Sequence, residues 1–243
     1  MFNRPYDAVL FDLDGTLLDT APEIAAAVNT ALAELGLSAA DKALVRRFIG
    51  HGVRQTLAQA YDHVQPGAEA ARREADLDTA MHGFERHYGL VARLSQPFAD
   101  TVATLRALRG AGVKCAIVSN KETRFVEQLL EGSALPALID LTICGDTLPR
   151  KKPDPLPVLH ALETFGVSRE RALLVGDSAI DVACARNAGI EVWMVPYGYN
   201  GGQPASEAGA DRVIESLSEV AAACIAPASH NPGERQLAAS SSS

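Results

Sequence analysis

The sequence predicts a doubly wound α/β fold, a parallel sheet covered by helices on both faces, with a helical segment inserted after the first strand. Three observations carry this. Short, almost continuously apolar runs recur at 8–11, 113–118, 138–144, 172–175 and 192–195, and strands buried on both faces carry unbroken hydrophobicity rather than alternation. Helical patterns separate most of these runs, as expected of a parallel sheet with helical layers on either side. Between the first two runs lies a long stretch whose periodicity is helical throughout.

Taken in order, the first strand, Ala8 to Phe11, ends on a cluster of aspartates. The inserted segment then opens with a helix at Thr20, where Glu23 completes a capping box and Pro22 suits the first turn. Ile24, Val28, Ala31, Leu32 and Leu35 form its apolar stripe, which Gly36 ends. Leu44, Val45, Phe48 and Ile49 form a second stripe. Gly50 and Gly52 punctuate the chain, Val53, Leu57 and Tyr61 continue helically, and Leu77, Met81, Phe84 and Tyr88 mark a last long helix. The expected division is a catalytic core over 1–17 and 96–226, a helical cap over 18–95, and a flexible tail over 227–243, where periodicity disappears and the sequence ends in a serine run.

Bulk properties narrow the function. The 243 residues suffice for one large domain or two small ones. A net charge of −8 without a basic stripe excludes nucleic acid as a natural partner. Cys115, Cys144, Cys184 and Cys224 lie far apart without C-x-x-C spacing, so they read as reduced and buried. No signal-peptide core or membrane span precedes the first aspartates, which predicts a cytoplasmic protein that does not engage membranes.

The densest chemical signal is VLFDLDGTLLDT, which sets Asp12 and Asp14 at a strand end with Gly15 and Thr16 behind them. Alone, such a pair is more often a turn. Ser119-Asn120 after the second strand, and Gly176-Asp177 with Asp181 after the fourth, change the balance. Each has a structural explanation as a helix cap, Ser119 with Glu122 and Ser178 with Asp181. Capping does not explain their position: in a parallel open sheet all the strands' carboxyl ends share one edge, where such folds bind ligands. The basic run Arg150, Lys151 and Lys152 adds an ammonium near this acidic edge, with either lysine able to supply it. Asp12, Asp14 and Asp177 offer hard oxygen ligands suited to Mg²⁺. The six histidines are scattered and form no competing site.

FDLDGT, Ser119-Asn120, Lys152-Pro153 and GDSAID stand in the order found in the haloacid dehalogenase superfamily, and the resemblance runs from Tyr6 to Leu217. It implies a Rossmann-like core and makes Asp12 the nucleophile that forms an aspartyl phosphate. Asp14 becomes the acid that protonates the leaving oxygen and then activates water. An acid at that place marks the phosphatase branch. Mg²⁺ would be held by the Asp12 carboxylate, the Asp14 backbone carbonyl and Asp177. Asp181 would support the metal site or orient Lys152. Gly15, Thr16, Ser119, Asn120 and Lys152 would contact the phosphoryl group, with Ser119 and Lys152 also counted in the catalytic set.

Within the superfamily the chain looks most like bacterial phosphoglycolate phosphatases, through FDLDGTLLDTAPEIAAAVNTAL, the turn IGHG at 49–52 and YGYNGG at 197–202. The implied substrate is a small phosphorylated metabolite, foremost 2-phosphoglycolate, with His51 and Arg54 as the expected substrate contacts and a monomer or homodimer as the assembly. A sugar-phosphate or amino-sugar-phosphate phosphatase, a phosphosugar mutase and a non-enzymatic phosphoacceptor module share parts of the pattern. The long inserted segment argues against the last. A phosphonate hydrolase is disfavoured because Lys42 is the sole lysine in the 18–95 segment, and Arg54 stands where a Schiff-base lysine is expected by resemblance.

Overall fold

The computed structural model describes residues 6–225; the expected tail lies outside the described residues. Among the described residues the chain forms strands β1 (Ala8–Phe11), β2 (Leu18–Asp19), β3 (Gln96–Pro97), β4 (Lys114–Val118), β5 (Leu141–Ile143), β6 (Ala172–Gly176), β7 (Glu191–Met194) and β8 (Arg212–Val213). The helices are α1 (Ala21–Glu34), α2 (Lys42–Phe48), α3 (Val53–Val64), α4 (Ala70–Val91), α5 (Thr101–Gly110), α6 (Thr123–Leu130), α7 (Leu156–Phe165), α8 (Ala179–Ala188) and α9 (Ser218–Ile225).

Six strands pair in the order β5-β4-β1-β6-β7-β8, every pair parallel. The strands' continuous hydrophobicity has a direct cause in the packing. Successive side chains point to opposite faces, and here both faces are covered. Val9, Phe11, Cys115, Ile117, Leu173, Val175 and Trp193 share a core with residues of α5, α6 and α9. Their alternates Ala8, Leu10, Ala116, Val118, Leu174, Val192 and Met194 pack with residues of α7 and α8. The chain winds from β1 outward to β4 and β5, then returns to β6 on the other side of β1. The crevice at that reversal is where an open α/β sheet binds its ligand.

Helices α1 to α4 build a second core in which Ile24, Val28, Ala31 and Leu32 of α1 meet Leu77, Ala80, Phe84 and Tyr88 of α4. The two helices approach closely at Gly83, where an added Cβ would lie 3.3 Å from Ala31. Phe125 of α6 enters this core from the sheet side, edge-on to Phe84 at 5.5 Å and to Tyr88 at 5.8 Å. The helical segment leaves and rejoins the rest of the chain through the antiparallel ribbon β2–β3, with Leu18 opposite Pro97 and Asp19 opposite Gln96.

Three local expectations differ from what is observed. The capping box at Thr20 and Glu23 does not form: the Thr20 hydroxyl donates to Asp14 (2.6 Å), and Glu23 accepts from Ser95 (3.0 Å). The first backbone N–H groups of α1 go instead to a distant side chain, the Tyr199 hydroxyl, which accepts from Thr20 N at 2.8 Å and Ala21 N at 3.0 Å. Ser119 caps no helix either; α6 begins at Thr123, whose backbone N–H and hydroxyl both donate to Asp146. The run at 138–144 pairs as a strand only at Leu141–Ile143, because 136–138 close into a 3₁₀ turn led by Pro136. The Ser178–Asp181 pairing does form, with Ser178 N donating to the Asp181 carboxylate at 3.1 Å. None of the four cysteines forms a disulfide, and all four are buried. No helix of the described residues is long and apolar enough to cross a membrane.

Candidate active site

The register delivers the predicted residues to one place. Phe11 pairs with Ile117 on one side and Val175 on the other, so Asp12, Ser119 and Asp177 leave the same edge of the sheet. Carboxylate oxygens of Asp12, Asp177 and Asp181 lie within 4.8 Å of one another. Asp12 Oδ1 accepts from the backbone N–H of Leu13 (2.7 Å) and sits 2.9 Å from Lys152 Nζ. That ammonium also donates to Asp181 Oδ1 at 2.7 Å, while Asp181 Oδ2 accepts from Ser178 N and Oγ. Asp181 therefore has both oxygens engaged and orients Lys152.

The two lysines differ in placement. Lys152 is buried between Asp12 and Asp181, whereas Lys151 is exposed and donates to the backbone carbonyl of His51.

Asp177 is held from two sides, by the Thr16 hydroxyl (2.9 Å) and by the backbone N–H of Tyr199 (2.5 Å). The hydroxyl of Thr16 thus serves Asp177. Gly15 must be glycine here. Its φ is +86°, and an added Cβ would fall 2.4 Å from Asp177 Oδ2. Asn120 Nδ2 bridges the Gly50 and Lys152 carbonyls (3.0 and 2.9 Å), tying the sheet edge to the turn before α3. The Ser119 hydroxyl accepts from Lys121 N at 3.2 Å.

Electrostatics follows from the crowding. Burial lifts the Asp12 pKa to about 7, with Lys152 pulling it down and Asp181 and Asp14 pushing it up. Asp177 is raised well above the usual carboxylate range by burial and then by Asp12 and Asp181. Lys152 is fully buried, which would lower its pKa, but Asp12 and Asp181 more than offset this and raise it. Four aspartates, 12, 14, 177 and 181, face two ammonium groups, Lys121 and Lys152. A divalent cation would balance the remainder, and an all-oxygen donor set suits Mg²⁺. The residues present fit the metal.

Of these groups Asp12, Asp14 and Lys121 open on a small cavity of about 20 Å³, room for little more than a water. Asp12, Asp14, Ser119, Asn120 and Lys121 form its sheet-side wall; Ile24, Ile49, Val53 and Phe84 close it from the helices. His51 and Arg54 are not on this wall. They line a neighbouring cleft with Arg73, Glu74 and Lys151, and the Arg54 guanidinium is taken up by Glu74 and Asp78, each at 2.8 Å.

Sequence reasoning missed Lys121, whose Nζ lies 2.6 Å from Asp14 Oδ1. It follows Ser119-Asn120 directly, and that adjacency was the available signal. A lone lysine before a helix otherwise reads as solvated surface. It also missed Tyr199 as the residue joining Asp177 to the start of α1.

The model of the haloacid dehalogenase-like hydrolase family matches residues 9–195. A phosphoglycolate phosphatase from Thiobacillus denitrificans is 42% identical over 222 residues, covering 90% of this chain and 96% of its own. One from Cupriavidus necator, described as plasmid, is 41% identical over 225 residues, covering 92% and 95%. Among solved structures, a predicted phosphoglycolate phosphatase from Haemophilus somnus superposes with a TM-score of 0.82 at 29% identity, covering 90% and 97%. Similarity that begins in β1, takes in every residue of the aspartate cluster and extends over nearly the whole of these relatives has one meaning: the chain belongs to the haloacid dehalogenase-like hydrolase family.

Proposed function

We propose that this hydrolase is a Mg²⁺-dependent phosphatase acting on 2-phosphoglycolate through an aspartyl phosphate on Asp12. The observation that carries the reading is the state of Asp12: it stands at the end of the central strand, and its close contacts with Leu13 N and Lys152 Nζ both fall on Oδ1. Oδ2 is left for attack on phosphorus. As that bond forms, the bond from phosphorus to the ester oxygen breaks, and the Asp14 carboxyl gives its proton to the departing alkoxide. Water then attacks the phosphorus of the aspartyl phosphate, Asp14 takes its proton, and inorganic phosphate leaves with Asp12 regenerated. Lys152, fixed by Asp181, offsets charge that builds on the phosphoryl oxygens. Mg²⁺, held by the carboxylates of Asp12 and Asp177 and the carbonyl of Asp14, would supply the positive charge that lets an anionic nucleophile approach an anionic phosphate.

One observation supports the substrate, the relatives named phosphoglycolate phosphatase; the cavity, with room for little more than a water, has to widen by outward movement of the helices before any phosphate ester enters. We read α1 to α4 as a cap that opens for entry and closes over the site. The test is phosphate release from 2-phosphoglycolate, hexose phosphates, amino-sugar phosphates and nucleotides, each with Mg²⁺ or chelator. The expected result is a far higher kcat/KM for 2-phosphoglycolate and no turnover with chelator. Equal or better hydrolysis of hexose phosphates overturns the substrate, and full activity in EDTA without bound metal overturns the metal.

A further inference from the structure

We propose that Lys121 is the specificity-determining residue for the substrate's carboxylate, a deepening that rests on the 2-phosphoglycolate reading above. Among the described residues lining the catalytic cavity, Lys121 is the only cation, and those contributed by the helices are apolar apart from Thr56. A glycolyl carboxylate closed into this space therefore meets one side chain able to neutralise it. His51 and Arg54 open on the neighbouring cleft, and the Arg54 guanidinium is already bound between two carboxylates.

Spacing supports the assignment. Asp14 has to reach the ester oxygen to protonate it, and in 2-phosphoglycolate the carboxyl carbon is two bonds from that oxygen. Lys121 Nζ lies 2.6 Å from Asp14 Oδ1, so a substrate in contact with Asp14 brings its carboxylate to the same ammonium. An ammonium has three donors. One points to Asp14, which leaves others for the carboxylate without breaking the existing pair. Lys121 is also held in place, with its side chain 3% exposed and its ammonium 5.0 Å from the centre of the Tyr88 ring. The buried Tyr88 hydroxyl lies beside the same ammonium and helps to hold it.

The assignment separates carboxylate recognition from phosphoryl chemistry, which the Asp12, Asp177 and Lys152 side of the site would perform on any small monoester. The test compares 2-phosphoglycolate with 2-hydroxyethyl phosphate, in which an alcohol replaces the carboxylate, using wild type and Lys121→Met with saturating Mg²⁺. Lys121→Met should lower kcat/KM for 2-phosphoglycolate by about 10- to 100-fold more than for 2-hydroxyethyl phosphate, the range for losing a charge-assisted pair. Lys121→Gln, which keeps a polar end, serves if the methionine variant does not fold. As a second readout, glycolate should inhibit wild-type hydrolysis of an aryl phosphate, and the variant should raise its inhibition constant by a similar factor.

Equal losses on both substrates, or an unchanged inhibition constant, would overturn the proposal and leave Lys121 as a partner of Asp14 alone. If wild type itself fails to prefer 2-phosphoglycolate, the substrate reading fails first and the role of Lys121 falls with it. If wild type prefers it and the variant keeps the preference, only the role of Lys121 falls.

Discussion

Replacing Tyr199 with phenylalanine isolates the contribution of a single oxygen to the junction between sheet and helices. That hydroxyl donates to Asp19 Oδ1 at 2.6 Å and accepts from Thr20 N and Ala21 N. Thr20 is fully buried and Ala21 is 7% exposed, so water is poorly placed to replace it. An orphaned buried donor costs about 1–3 kcal/mol, and two of them, with relaxation of the helix end, give about 2–4 kcal/mol. For a chain of this size that corresponds to a fall in Tm of roughly 5–15 °C. Metal affinity should change little, because Asp177 is held by the backbone N–H of Tyr199, which the substitution retains. The ring itself stays under Arg46, whose guanidinium lies 5.0 Å from its centre. The assay pairs scanning calorimetry with Mg²⁺ titration of turnover. A Tm within about 2 °C of wild type would refute the capping argument, and a large loss of Mg²⁺ affinity would show that the hydroxyl, and not the backbone, governs Asp177.

Further outcomes follow from the same geometry. Asp12→Asn should fold and form no phosphoenzyme, whereas Asp14→Asn should lower turnover by about 10²–10⁴-fold and accumulate phosphate on Asp12 with an aryl phosphate; rapid quench or intact-protein mass spectrometry reads both, and phosphate trapped on another residue would overturn the roles. Burial lifts Asp12 to a pKa of about 7 in the metal-free protein, above the ordinary unfolded value of about 4. The folded state thus keeps a proton that the unfolded chain releases, and metal-free stability should fall as pH rises across that window, with Mg²⁺ restoring it above. A thermal shift on adding Mg²⁺ that is equal at pH 5 and pH 8 contradicts this. Phe125→Ala should cost about 3–5 kcal/mol and increase proteolytic nicking within 18–95; a urea midpoint near that of wild type would show that the ring is not what seats α4.

The parts of the fold that could be read from sequence are those where many residues repeat one message. Apart from the first residues Lys114 and Glu191, β1, β4, β6 and β7 are buried on both faces, which leaves no place for polar side chains within them. By contrast, β2, β3 and β8 have two residues each, too few to show any period. In the site, Asp12, Asp177, Asp181 and Lys152 could be placed together because each follows a strand of one parallel sheet. Lys121 carries its meaning only through Asp14, far away in sequence, and Tyr199 through the start of α1. The capping box at Thr20 failed for the same reason: a hydroxyl that local sequence assigns to its own helix found a carboxylate in the catalytic turn. Long-range partners override local preference at the points where the helices meet the chemistry.

The two-residue ribbon has an engineering consequence. Because Leu18–Asp19 and Gln96–Pro97 run side by side, the sheet experiences everything between them as one loop whose ends are already joined. Closing a longer or shorter loop between such ends changes chain entropy only with the logarithm of its length. The helical wall of the cavity could therefore be replaced by exchanging residues 20–95 for another helical segment, leaving the aspartates and Lys121 at the sheet edge untouched and changing only the part of substrate choice that the helices set. Such a graft would need to meet two conditions at its seam: a first turn whose backbone N–H groups donate to the Tyr199 hydroxyl, and an aromatic socket for Phe125.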